Sequence, residues 1–230
     1  SHDLIIDMLT NYIHKTNSKY NLSSAHVGSM GGIMSLRRRE THISPIHLLD
    51  ENTGKYNVEF IKKYLKNIDI ILIKGVKRIQ GFMVKKGNPS NITNFKDIEK
   101  NDIIFVNRQK GAGTRILTDY MLNKSGISPS NIIGYEREMT THMAVAAAVA
   151  SGTGDVGVGV YSAAKAMSLD FIPISEEEYD FAVPTEYLND EKIQLFIKIL
   201  RDKEFQTEVE KLGGYKFEQA GEIIKIRDES

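Results

Sequence analysis

Asn107-Arg-Gln-Lys-Gly-Ala-Gly-Thr-Arg115 is the stretch on which the reading turns. Before it, Asp102-Ile-Ile-Phe-Val106 is an apolar run that reads as a strand; after it, residues 116–122 have the spacing of an amphipathic helix. The stretch is therefore a strand-to-helix turn that ends on a helix N-terminus. There, unpaired backbone N–H groups and the positive end of the helix dipole face outward. Gly111 and Gly113 let the backbone approach a ligand closely, Thr114 adds a hydroxyl, and Arg108, Lys110 and Arg115 add cationic donors. The loop holds no Asp or Glu, so it offers what an anion needs. A purely local reason for the glycines also exists, because tight turns require them. A nucleotide P-loop does not fit, since Arg115 follows Thr114 where that motif needs Gly-Lys-Ser/Thr.

Outward from this turn the chain repeats the same device. Residues 4–13 carry apolar side chains at helical spacing, with Ser1 or Asp3 as cap. Gly28-Ser-Met-Gly-Gly32 leads into another helix with Ser29 at the cap. Thr140 and Thr141 precede the Ala-rich helix at 143–150, and Tyr161-Ser-Ala-Ala-Lys165 follows the strand Asp155-Val-Gly-Val-Gly-Val160, whose glycines indicate close packing. Further strands are expected at 68–73, 81–84, 134–136, 171–174 and 179–183, and helices at 58–66, 191–200 and 205–212. The expected class is α/β with mostly parallel sheets. Two crossings, near 74–84 and 178–185, divide it into lobe I (1–80 and 184–230) and lobe II (81–183). Ligands of open parallel sheets sit where strands end and helices begin. The candidate ligand-binding residues are accordingly Ser1, Ser29, Arg108, Gly113, Thr114, Arg115, Thr141, His142 and Tyr161.

Composition narrows the class of partner. The 230 residues are 41% hydrophobic and 26% charged, with Lys+Arg and Asp+Glu both 30. A nucleic-acid or membrane-surface protein normally carries a basic excess, and zero net charge shows none. Any anion site is then local, and neither nucleic acid nor membrane is expected as a direct partner. No cysteine is present, which excludes disulfides and thiolate chemistry. No apolar run approaches ~18 residues, and no signal peptide is apparent. A cytoplasmic domain is expected, with a processed extracytoplasmic form left open. The opening Ser1-His-Asp3 reads as a fragment or a processed form. His42 and His47 lack metal-ligand spacing, and Glu176–Glu178 reads as a solvated acidic run. No catalytic set and no metal site are identifiable.

Taken together, these pieces resemble type II periplasmic-binding-protein-like domains, most closely the branch fused to molybdopterin molybdenumtransferase or to helix-turn-helix regulators. The resemblance rests on Ser1-His-Asp3, Gly28-Ser-Met-Gly-Gly32, His47-Leu48, Thr53-Gly-Lys-Tyr-Asn57, Arg78-Ile-Gln-Gly81, Gly87-Asn-Pro89, the 107–115 turn, Thr141-His142, Leu169-Asp-Phe-Ile-Pro173 and Gly213-Gly-Tyr215. It implies two α/β lobes joined by crossing strands. It also implies a non-catalytic cleft for a small anionic ligand, with molybdate or tungstate leading, in a molybdenum-cofactor context. Oxyanion receptors of this kind often carry Arg-x-x-x-Ser-Gly-Thr in the turn; here Ala112 stands at the Ser position, so a larger pterin-like or nucleotide-conjugate anion stays open. No cofactor is expected beyond such an oxyanion. Two alternatives remain: a ligand-sensing module of a transcriptional regulator joined to an upstream domain, and an enzyme acting on a phosphorylated or pterin substrate, with Thr141-His142 beside Arg108.

Overall fold

The computed structural model describes residues 2–226. Ser1, one of the candidate ligand-binding residues, lies outside the described residues. In chain order the elements are α1 (Leu4–Thr16), α2 (Gly28–Arg37), β1 (Ser44–Ile46), α3 (Val58–Tyr64), β2 (Ile70–Val84), β3 (Phe105–Arg108), α4 (Gly113–Lys124), β4 (Glu138–Met139), α5 (His142–Ser151), β5 (Val156–Val160), α6 (Tyr161–Ala166), β6 (Asp170–Pro184), α7 (Glu191–Leu200), α8 (Lys203–Glu210), β7 (Tyr215–Lys216) and β8 (Ile223–Lys225). They form two compact units, one made of Ser1–Arg78 with Glu177–Ser230 and the other of Ile79–Glu176.

In the first unit, α1 starts because the Asp3 carboxylate accepts from the Ile5 N–H at 2.9 Å. The helix buries Ile5, Ile6, Leu9 and Ile13, one face at helical spacing. That face packs in one core with Ile193, Phe196, Ile197 and Leu200 of α7, Phe205 and Val209 of α8, and Ile71 of β2 with Phe181 of β6. Each such side chain contributes roughly 1.5–3 kcal/mol by leaving water. β1 pairs antiparallel with the far end of β6, Pro45 opposite Phe181. β7 and β8 pair antiparallel with β2.

In the second unit, β3 lies between β4 and β5 and is parallel to both. The end of β2 pairs antiparallel with β5, Gln80 opposite Val160. Side chains alternate across this sheet. Phe82, Phe105, Val156 and Val158 pack on one face with Leu122 of α4. Met83 and Val106 pack on the other with Val145 and Ala146 of α5 and Ala163 of α6. Gly157 and Gly159 belong to the second face. A Cβ on Gly157 would fall 2.3 Å from Val145 Cγ1, so the glycine is what lets the alanine-rich α5 lie against the strand.

The α/β class holds, but the sheets are not mostly parallel. Among the described pairings only those of β3 are parallel; the pairings of β1, β7 and β8, and that of β2 with β5, are antiparallel. Parallel pairs need a crossover helix, and only the run from β3 through α4, β4 and α5 to β5 supplies them. Gly75 and Gly81 do not interrupt two strands either. β2 is a single strand through both, and β6 likewise joins the two segments expected at 171–174 and 179–183. The glycines instead admit the neighbouring strand: a Cβ on Gly75 would fall 2.2 Å from the Tyr179 carbonyl, and one on Gly81 would fall 2.4 Å from that of Ile172. The strand expected at 134–136 begins later, at Glu138, because Gly134 takes φ +87° in a turn against Phe105.

Candidate functional site

In the second unit, three adjacent parallel strands each deliver a helix at their carboxyl ends. β4 leads through Thr141 into α5, β3 leads through residues 109–112 into α4, and β5 leads directly into α6. Arg108 is level with Met139 across the β3–β4 pair. Thr114, Thr141, His142 and Tyr161 therefore follow neighbouring strand ends rather than scattered ones.

The α4 corner is built as follows. Ala112 is the N-cap, extended at φ −71° and ψ 139°, and it makes no side-chain capping bond. By helix geometry the first-turn N–H groups, those of Gly113, Thr114 and Arg115, are then left for an acceptor outside the helix. Thr114 is fully buried, and its hydroxyl pairs with the Gln80 side chain, Nε2 at 2.9 Å and Oε1 at 3.1 Å. Gln80 is itself buried on β2. Sequence reasoning missed it as a site residue, because a lone Gln in a strand carries no spacing signal; the signs of it were its polarity and its place in the Arg78-Ile-Gln-Gly81 piece of the family resemblance. Arg108 is 2% exposed and donates from Nη2 to the Thr140 carbonyl at 3.1 Å, joining the β3 end to the segment that leads into α5.

Arg115 is different. Its Nε donates to Asp119 at 3.1 Å and its Nη1 to Glu138 at 2.9 Å and to the Arg108 carbonyl at 3.1 Å. Its guanidinium also lies over the Tyr135 ring, 4.3 Å from the centroid. Burial works against its charge, but the Tyr135 hydroxyl, Asp119 and Glu138 outweigh that and hold its pKa above the ordinary value. These bonds make Arg115 a brace of the turn, tying α4 to the ends of β3 and β4.

Among the described residues, Thr141 alone of the hydroxyl-bearing candidates at helix starts caps with its side chain, accepting from the Ala144 N–H at 3.0 Å. His142 opens α5 and is 5% exposed, with Nδ1 close to where a Cβ on Gly159 would stand. Tyr161, at the start of α6, is 36% exposed and packs edge-on against Phe171 at 5.4 Å. Ser29 lies in the first unit and is not the α2 cap. The cap is Val27, because Gly28 turns into the helix at φ +73°. The Ser29 hydroxyl accepts from the His47 N–H at 3.2 Å.

A buried polar network surrounds that contact. The Arg78 guanidinium is paired with Asp3 and Glu177 and lies over the Tyr179 ring at 4.4 Å. Asp3 also accepts from the Tyr215 hydroxyl at 2.7 Å. His47 Nδ1 is 2.9 Å from the second Glu177 oxygen. Burial, reinforced by Arg78, lowers the His47 pKa to about 4, so the ring is neutral at pH 7. The acidic run at Glu176–Glu178 is thus not simply solvated: Glu177 is 1% exposed and neutralises Arg78.

A family described as the PBP superfamily domain matches residues 10–201. The uncharacterized Bacillus subtilis protein YvgK is 33% identical over 222 residues, 96% of this chain and 71% of its own length. A Clostridium perfringens protein described as a phosphate ABC transporter substrate-binding protein, with bound phosphate, superposes with a TM-score of 0.69 at 15% identity, covering 94% of this chain and 95% of that one. A Clostridium difficile domain described as the substrate-binding domain of a molybdenum ABC transporter superposes with a TM-score of 0.58 at 13% identity, covering 93% of each chain. At these identities the two structures speak for the fold.

Proposed function

Because the chain belongs to the periplasmic-binding-protein superfamily, we propose that it binds, without chemistry, a small oxyanion of the molybdate or tungstate class at the α4 corner, in the context of molybdenum cofactor assembly. The observation that carries this reading is the uncapped start of α4 beside buried Arg108. A twelve-residue helix whose first turn has no side-chain cap presents N–H groups and the positive end of its dipole together. Arg108 adds charge, and charge-assisted bonds are roughly twice as strong as neutral ones. The two carboxylates hydrogen-bonded into the corner, Asp119 and Glu138, are both engaged by Arg115. An oxyanion that carries no proton suits such a donor-rich corner better than hydrogen phosphate, which needs an acceptor for its own hydrogen. Fold neighbours are described as binding phosphate, molybdenum or amino acids, so the choice of an oxyanion rests on the donors of the corner.

The test is a thermal-shift series with molybdate, tungstate, sulfate and phosphate. Molybdate and tungstate should raise the melting temperature most, and Arg108→Ala should abolish the rise. An intact response in Arg108→Ala removes the site assignment, and equal stabilisation by phosphate removes the ligand class.

A further inference from the structure

Residues 20–27 run from α1 to α2 without forming a helix or strand. Residues 21–25 make no hydrogen bond to the rest of the chain among the described residues. The segment lines a partly open cavity of about 500 Å3 with a mixed polar and apolar wall. Tyr20 and Leu22 are partly buried against the apolar core, whereas Asn21, Ser23, Ser24 and Ala25 are exposed. A strap with so few buried contacts and no backbone ladder opens at little cost, so its two ends decide whether it stays closed. At one end the Tyr20 hydroxyl donates to Glu191 at 2.7 Å. At the other the His26 ring lies flat on His2, with centroids 4.3 Å apart and planes 16° from parallel. We propose that this stack is a pH-sensitive latch: it holds residues 20–27 in place at neutral pH and releases them when both rings carry a proton.

The charge states of the stack differ in sign. Two neutral rings attract by stacking, and a charged ring over a neutral aromatic face still attracts. The second proton sets two like charges against each other at the distance of the stack, which disfavours it about fivefold in water and more where screening is poorer. Asp7 Oδ2 lies 3.4 Å from His2 Nε2, so this carboxylate offsets one such charge and not two. Histidine is the side chain whose ordinary titration, near pH ~6.5, falls in this range. An open strap keeps the rings apart and takes the second proton more readily. The latch is therefore intact above pH ~6.5 and weakens as pH falls below it. The other charged groups around the cavity come from the segment before β1 and from the start of α7. Glu40 pairs with Arg38 at 2.8 Å, and Asp190 lies 3.5 Å from Lys192. His42, a third histidine on the same cavity, stands against the Tyr187 ring at 4.9 Å and serves as the control.

The test is an NMR titration of the full chain from about pH 8 to about pH 5, following the imidazole C2–H signals and the 15N–1H NOE of the strap amides. His2 and His26 should titrate as a coupled pair in two steps. The second step should coincide with a loss of order confined to residues 20–27. His26→Phe keeps a ring on His2 that takes no proton, so its strap should stay ordered at the acid end. His26→Ala removes the stack, so its strap should be mobile already at the alkaline end. His42→Gln should leave the wild-type response unchanged. A strap whose order ignores pH, or falls with pH in His26→Phe as in the wild type, overturns the proposal. So does a strap that stays ordered in His26→Ala at the alkaline end, or a response that His42→Gln abolishes. No anion enters these readouts, so the latch goes beyond the oxyanion reading and is decided independently of it.

Discussion

Arg78 is the residue on which the buried polar network of the first unit depends. Its charge is neutralised by Asp3 and Glu177, all three nearly inaccessible to water. Removing the cation strands two carboxylates in a poorly solvated interior, so Arg78→Met should lower unfolding stability by about 3–5 kcal/mol at pH 7, read by urea denaturation. His47 gives a different signature. Its folded pKa of about 4 is below the value of ~6.5 for an unfolded His, so the unfolded chain takes up the proton first as pH falls. The stabilisation from burying the neutral ring is complete above pH ~6.5 and is lost progressively down to pH ~4, up to about 3 kcal/mol. His47→Gln should flatten that part of the stability curve, and an unchanged slope would show that the ring is protonated in the folded chain.

At the scale of the element, the start of α4 and the passage of β2 matter most. Ala112 has extended dihedrals suited to a serine cap, but no hydroxyl to make one. Ala112→Ser should stabilise the apo protein by about 0.5–2 kcal/mol in chemical denaturation, because the new oxygen satisfies a first-turn N–H. Under the proposed function it should also weaken molybdate binding where that oxygen competes for the same N–H; tighter binding would mean the hydroxyl donates to the anion instead. Gly81 makes the case for β2. Adding a methyl there drives a carbon to 2.4 Å from the Ile172 carbonyl and 2.5 Å from the Phe171 ring. Gly81→Ala should therefore destabilise by about 1–3 kcal/mol in the same assay, while glycines in open turns such as Gly87, with nothing within 4 Å, have only their positive φ to lose.

At the scale of the molecule, each unit has its own apolar core, and β2 and β6 run through both units. No helix among the described residues is long and apolar enough to cross a membrane. A ligand that binds only the folded chain stabilises it by mass action, about 2.7 kcal/mol at 100 times its dissociation constant. For a chain of this size that is a rise of about 5–10 °C in melting temperature. A rise of that size with molybdate, absent with sodium chloride at equal ionic strength, is the expected result; a shift that follows ionic strength alone would mean general screening.

The sequence by itself determined the α/β class, most helices, and the strand-to-helix turn at 107–115, because helical periodicity and a Gly-rich turn are local patterns. It also determined that glycines 157 and 159 would have something packed closely on them. Tertiary structure alone decided how the polar groups of that turn are engaged. Arg115 looks equivalent to Arg108 in sequence, yet Asp119, four residues on, and Glu138, from another strand, claim it. Gln80 meets Thr114 only because β2 returns alongside β5. Glu177 reads as solvated until Arg78 and His47 close over it. Charge pairing and burial depend on residues distant in the chain, and no local spacing encodes them.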